Sequence, residues 1–220
     1  MTDTEFDAAM VAAAFAQAGV SGWRTLSLVE AAQSAGLPLD RARSRFPGPG
    51  AVLMRFGLMA DQAALSEQAS AGSLPRDRVF DLLMRRFDVL QAHRAGMEAL
   101  LRALPADPVL SLALGAATLR SMGWMLEAAG IPATGLAGRL RANGLVGVWL
   151  YTLRAWKDDS SADLSATMAA LDKALDQAER FSAMFGLGTP ASGASGEDLE
   201  AVVDLPAEPV LPEEPLEASV

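Results

Sequence analysis

The sequence predicts an all-α protein: an N-terminal three-helix helix-turn-helix unit followed by a C-terminal helical bundle. Apolar residues recur at three- and four-residue spacing along most of the chain, and no stretch sustains the period-two alternation of a half-buried strand. Glycines and prolines cut the periodic stretches into pieces of helical length.

Taken in order, residues 4–18 form an alanine-rich helix with Phe6, Met10, Val11 and Phe15 as its buried stripe, ended by Gly19. Ser27 with Glu30 three residues on is a capping box that starts the second helix, and Gly36 ends it. Leu37-Pro38 opens a third helix in which Leu39, Ala42 and Phe46 face inward. Asp40, Arg41, Arg43, Ser44 and Arg45 are then left toward solvent. The second and third helices with their tight turn are what a helix-turn-helix needs, the third lying in the major groove of DNA. Ala51 to about Gln68 makes the fourth helix, and Ser70 to Pro75 reads as a linker.

From Arg76 to Gln91 the stripe is Val79, Phe80, Leu82, Leu83, Phe87 and Leu90. Helices follow over Arg94–Leu104, before Pro105 and Pro108, over Val109–Ala129, ended by Gly130 and Pro132, and then over 135–156 and 161–185. This divides the chain into a helix-turn-helix domain at 1–56, an all-α domain at 57–185, and an acidic tail at 186–220. The tail is rich in Pro, Gly and acids and reads as disordered.

Charge is informative only by region. All 18 basic residues lie at or before Arg180, while Glu197 to Val220 carries eight acids and no base, so the rest of the chain is nearly neutral. Residues 20–56 hold Arg24, Arg41, Arg43, Arg45 and Arg55 against Glu30 and Asp40, a cationic excess that suits phosphate. The competing reading makes these arginines the wet side of an amphipathic helix.

Other chemistry is narrowed by what is missing. With no cysteine and His93 as the single histidine, neither a zinc site nor a Cys/His nucleophile pair can be assembled. The acids sit at helix ends, turns and the tail, and His93 lies in QAHRAG at a helix junction, so the chain reads as no enzyme, with no catalytic or metal-binding residue and no cofactor. Charges or glycines interrupt every long apolar stretch, so no stable membrane insertion is expected. The acidic start MTDTEFD lacks a secretory signal's basic region and points to the cytoplasm.

The segment LVGVWLYTLRAW is apolar on most faces, which marks a helix surrounded by others or placed at a subunit interface. Two readings compete for the large side chains of this domain. In one, Met84, Phe87, Met122, Trp124, Met125, Trp149 and Tyr151, with Trp156, fill a bundle core. In the other, the first seven line a cavity for a small apolar ligand between helices.

Gly22, Ser27, Leu28, Ala32, Ala35, Gly36, Leu37, Phe46, Pro47 and Leu53 give residues 4–185 a resemblance to the TetR superfamily of regulators. The resemblance implies three helices holding a DNA reader, a connecting fourth helix, and an all-α domain that dimerises and takes a small ligand. It also implies operator DNA as partner, with Arg24, Leu39, Asp40, Arg41, Arg43, Ser44, Arg45 and Arg55 as candidate DNA contacts. Two positions depart from the family's pattern: Arg43 replaces the usual phosphate-binding tyrosine, and Pro49 the lysine that usually opens the fourth helix. Arginine can hold a phosphate, whereas proline offers no donor.

The chain also resembles the TetR-fold lipid-binding accessory proteins of ubiquinone biosynthesis at Gly22-Trp23, Ala32-Gln33-Ser34 and Asp158 to Asp163 with Thr167 and Leu171. The last cluster is equally the start of a helix, with Ser160 or Ser161 as its cap. Two functions therefore stand side by side. One is a dimeric DNA-binding regulator tuned by an apolar ligand, and the other a lipid carrier that has given up its operator.

Overall fold

The computed structural model describes residues 1–66 and 73–184, and among these there are nine α-helices and no strand. Helix α1, Asp3–Ser21, begins earlier than the apolar stripe predicts because Thr2 and Glu5 form a complete capping box, each side chain bonding the other's backbone amide. Its stripe is buried as expected, with Phe6, Met10 and Val11 at 0% exposure. Helices α2, Leu28–Ser34, and α3, Leu39–Arg45, meet at Gly36, whose φ of 65° suits glycine, and the Leu37 amide closes the turn on the Ala32 carbonyl at 2.8 Å.

The Ser27 cap holds, its hydroxyl accepting from the Glu30 amide at 3.3 Å. The Glu30 carboxylate, however, accepts from Gln17 on α1 at 2.7 Å and so ties α2 to α1 rather than completing the box. Leu39, expected inward, is 42% exposed, and Leu37 takes the buried place beside Ala42 and Phe46.

Helix α4, Pro49–Leu65, runs unbroken across the expected domain boundary at 56/57. Pro49 occupies its first turn, where a missing N–H leaves no bond unmade. Of the linker expected over 70–75, residues 70–72 lie outside the described residues, as do residue 185 and the acidic tail, while Leu74 caps the next helix and Pro75 opens it. The bundle continues with α5, Pro75–Ala92; α6, Arg94–Ala103; α7, Pro108–Ala128; α8, Gly135–Asp158; and α9, Ser165–Met184. α1 packs on α6, α4 on α5 and α7, and α8 on α7 and α9. The approach of α1 to α6 is close enough that a Cβ on Gly96 would lie 2.5 Å from the Phe15 carbonyl oxygen.

Helix α9 begins four residues later than its periodicity suggests. Asp159 is buried, and its carboxylate accepts from the Ser161 amide at 2.9 Å and hydroxyl at 2.5 Å, and from the Thr167 amide at 2.8 Å and hydroxyl at 2.7 Å. These bonds hold its carboxyl far below the usual carboxylate range, the Ser161 hydroxyl contributing most. Ser161 caps as expected, through its hydroxyl to the Ser165 amide at 3.1 Å, while Asp159 does most of the holding.

The expectation that no stretch is apolar enough to cross a membrane needs correcting for α7. By length and composition this helix would suffice: its best window has a mean hydropathy of 1.3, with 22% of it buried. Gly115, Arg120 and Gly123 interrupt it without lowering the average enough. It packs against α4, α5 and α8 in the bundle.

Candidate functional site

The helix-turn-helix head places its eight candidate residues in two groups. On α3, Arg41 and Arg45 lie four residues apart and therefore share one side of the helix. That side faces α1, where Asp3 and Asp7 are likewise one turn apart. Arg45 grips Asp7 through two bonds of 2.6 Å and also reaches Asp3 at 2.9 Å. Arg41 donates to Asp3 at 2.5 Å and lies over the Phe6 ring, 4.4 Å from its centroid. Arg55 of α4 meets Asp7 from the other side at 3.0 Å.

The expectation that Arg41 and Arg45 are left toward solvent is therefore corrected: both are only partly exposed and are engaged by acids of α1. Arg41, and Arg45 after it, draw the Asp3 carboxyl below its ordinary range, and Asp7 raises the Arg45 guanidinium. Sequence reading missed Asp3 and Asp7 because the partners lie 38 residues from the arginines they hold.

Leu39, Asp40, Arg43 and Ser44 form the exposed face of α3. The Arg43 guanidinium donates through Nη1 to the Pro47 carbonyl at 2.7 Å, just past the end of α3. Arg24, also exposed, stands with Pro49 and Gly50 at one wall of a cleft of about 440 Å³ whose other wall includes Asp107 and Leu110. The structure thus brings one predicted phosphate contact, Arg24, beside the start of α4.

The seven candidate ligand residues also separate. Phe87, Met122 and Met125 are fully buried, Trp149 is 5% exposed, and Met84 is partly buried against the same core. Trp124 and Tyr151, at 63% and 47% exposure, lie outside it, because they fall on outward faces of α7 and α8. Phe87 stacks on Trp149 with centroids 4.5 Å apart.

Within this body Arg86 of α5 is buried, which the adjacent pair Arg85-Arg86 did not suggest. Its Nη1 donates to the Asp61 carboxylate of α4 and to the Ser121 hydroxyl of α7, and that hydroxyl donates to Asp61 at 2.5 Å. Its guanidinium lies over Trp149 at 4.9 Å. Burial pushes it below its ordinary value, with Asp61 opposing. The spacing of Asp61, Arg86 and Ser121 carries no local signal.

A helix-turn-helix head on an all-α body, joined by one continuous helix, defines a class of fold. No protein-family model matches the sequence, and no curated protein matches it at a significant level. Solved structures do. The chain is similar to a TetR transcriptional regulator from Nitrosomonas europaea ATCC 19718, with a TM-score of 0.65, 23% identity, and 78% of this chain and 96% of that one covered. It is also similar to a TetR transcriptional regulator from Rhodococcus sp. RHA1, at 0.51, 20%, 81% and 97%. A TetR-family transcriptional regulator from Streptomyces coelicolor follows, at 0.53, 17%, 84% and 85%. The chain shares the fold of these three TetR regulators.

Proposed function

We propose that this protein is a dimeric, DNA-binding transcriptional regulator whose body takes a small apolar ligand. The observation that supports it best is the exposed face of α3, where Leu39, Asp40, Arg43 and Ser44 project from a helix seated by Ala42 and Phe46. Such a face offers an apolar contact for a thymine methyl, an acceptor, a hydroxyl and a guanidinium, the side-chain chemistry that reads base edges. Arg24 serves phosphate, and Arg41, Arg45 and Arg55 are held in reserve by Asp3 and Asp7. A DNA-reading role of this kind belongs in the cytoplasm.

The dimer is proposed through α8. Leu136, Leu140, Leu150 and Tyr151 are exposed on it, and Gly144 and Gly147, with open space at their Cβ positions, would let a second helix come close. Replacing both Leu140 and Leu150 by Glu should give a monomer by light scattering. Ligand is proposed to act through α4, which starts beside the reading head and carries Asp61 into the body. By that route ligand occupancy would alter the spacing of the two heads.

The second resemblance loses its specific support, since the Asp159 cluster is accounted for by the start of α9. The test is anisotropy of labelled duplex from the protein's own upstream region across a salt series. Affinity should fall steeply with salt, and Arg43→Ala should lose roughly 5- to 150-fold in discrimination between that duplex and a scrambled one. Absence of binding at low salt would end the proposal.

A further inference from the structure

We infer that the body binds a flat, uncharged molecule bearing a hydrogen-bond-accepting oxygen, with Arg86 Nε as the donor that fixes it. The inference rests on the ligand-receiving role just proposed for the body. It specifies the chemical class, and it is tested without DNA.

The starting observation is an unanswered donor. Arg86 is 6% exposed, and its Nε is buried with no hydrogen-bond partner. Buried polar groups are nearly always paired, and one left unpaired is a liability that an apolar residue in its place would avoid. The ion pair with Asp61 does not justify the liability, because buried pairs contribute little compared with well-packed apolar side chains. What the arrangement supplies is direction. Asp61 and Ser121 clamp the Nη1 end of the guanidinium from two other helices, and Trp149 covers its face, so the Nε–H is held in one orientation.

Charge then selects among acceptors. The Arg86 cation is already matched by Asp61, so a carboxylate or phosphate would bring an unmatched anion into a buried place, and an ammonium would face the guanidinium. A neutral acceptor remains: a carbonyl, ester or ring oxygen. Shape selects further. The residues packed beside the donor are the Phe87–Trp149 pair, stacked at 25° and buried, so a guest that joins them must itself be flat, which favours an aromatic or conjugated frame. Met122, next to Ser121 along α7, is fully buried and has the flexible thioether that repacks most readily around an incoming ring.

The experiment compares three probes of similar size on the full chain: 2-acetonaphthone, 2-ethylnaphthalene and 2-naphthoate. Binding is read by calorimetry and by the indole N–H signal of Trp149 in NMR spectra, assigned with Trp149→Phe. 2-Acetonaphthone should bind at least about tenfold more tightly than the other two, as one buried hydrogen bond allows. Because Arg86→Ala alone would leave Asp61 buried and unpaired, the deciding variant is the double change Arg86→Met with Asp61→Leu, which keeps the core apolar. It should fold with the same helical content, bind 2-ethylnaphthalene as before and lose the preference for the ketone. Equal affinity for ketone and hydrocarbon, tightest binding of the naphthoate, binding of none of the three, or a preference surviving in the double variant would each overturn the inference. None of these outcomes bears on the duplex titration, which stands or falls separately.

Discussion

Replacing Asp3 by Asn should tighten the DNA binding proposed above by what one freed phosphate contact contributes. Asp3 and Asp7 form two rungs against α3: the outer one is wet, with the Asp3 side chain 68% exposed, and the inner one is buried, with Asp7 at 5%. Asp3→Asn removes only the outer rung. Arg45 keeps its two 2.6 Å bonds to Asp7, while Arg41 loses its anionic partner and retains only neutral acceptors and the face of Phe6. One guanidinium is thereby released beside the reading face. A single added phosphate contact steepens the slope of log affinity against log salt by about 0.9, so lowering salt fourfold should raise the variant's advantage over the native protein by roughly 3.5-fold. Fluorescence anisotropy with the upstream duplex, at about 50 and 200 mM KCl, measures that ratio. Adding Arg41→Ala to Asp3→Asn should abolish the gain, which isolates the pair as a double-mutant cycle. A ratio that does not change with salt, or a gain that survives Arg41→Ala, would refute the reserve role of these arginines.

Three further outcomes follow from the packing. Asp159→Ala removes the buried acceptor of four bonds at the start of α9 and should lower unfolding stability by about 2–3 kcal/mol, measured by urea denaturation. Gly96→Ala sets a methyl against the backbone of Phe15, so α1 and α6 must separate, at about 1–3 kcal/mol in the same assay. His93 packs against the rings of Phe15 and Phe56, and burial depresses its pKa. The folded state thus binds fewer protons than the unfolded one there, so stability is present above the unfolded value and is lost as pH falls through the folded value. Asp88, whose carboxyl burial raises, acts in the opposite sense at lower pH, so the comparison that isolates the histidine is native protein against His93→Gln. Stability should decline less steeply from neutral to mildly acid pH in the variant, as followed by thermal melts.

The helices were legible from local pattern. Predicted and observed spans agree within a few residues for α5, α6, α7 and α8, since apolar spacing and Gly or Pro punctuation act over a turn or two of chain. The start of α1 is written there too, in the local pair Thr2 and Glu5. Position 39 shows where the pattern fails: in a helix as short as Leu39–Arg45 one leucine does not define a face, and the core took Leu37 instead.

By itself the sequence determined an all-α chain with a helix-turn-helix at its front, because helical hydrogen bonds and hydrophobic stripes are satisfied between near neighbours. Only the tertiary structure decided what the charged and aromatic side chains do. Arg41 and Arg45 read as solvent-facing until α1 brings Asp3 and Asp7 against them, and nothing local marks Arg86 as the residue on which Asp61 and Ser121 converge from α4 and α7. Trp124 and Trp149 look alike along the chain yet one lies outside and the other stacks inside on Phe87. A charge takes the partner that folding carries to it, and a ring the face that packing leaves it, and both are set by residues far away in the chain.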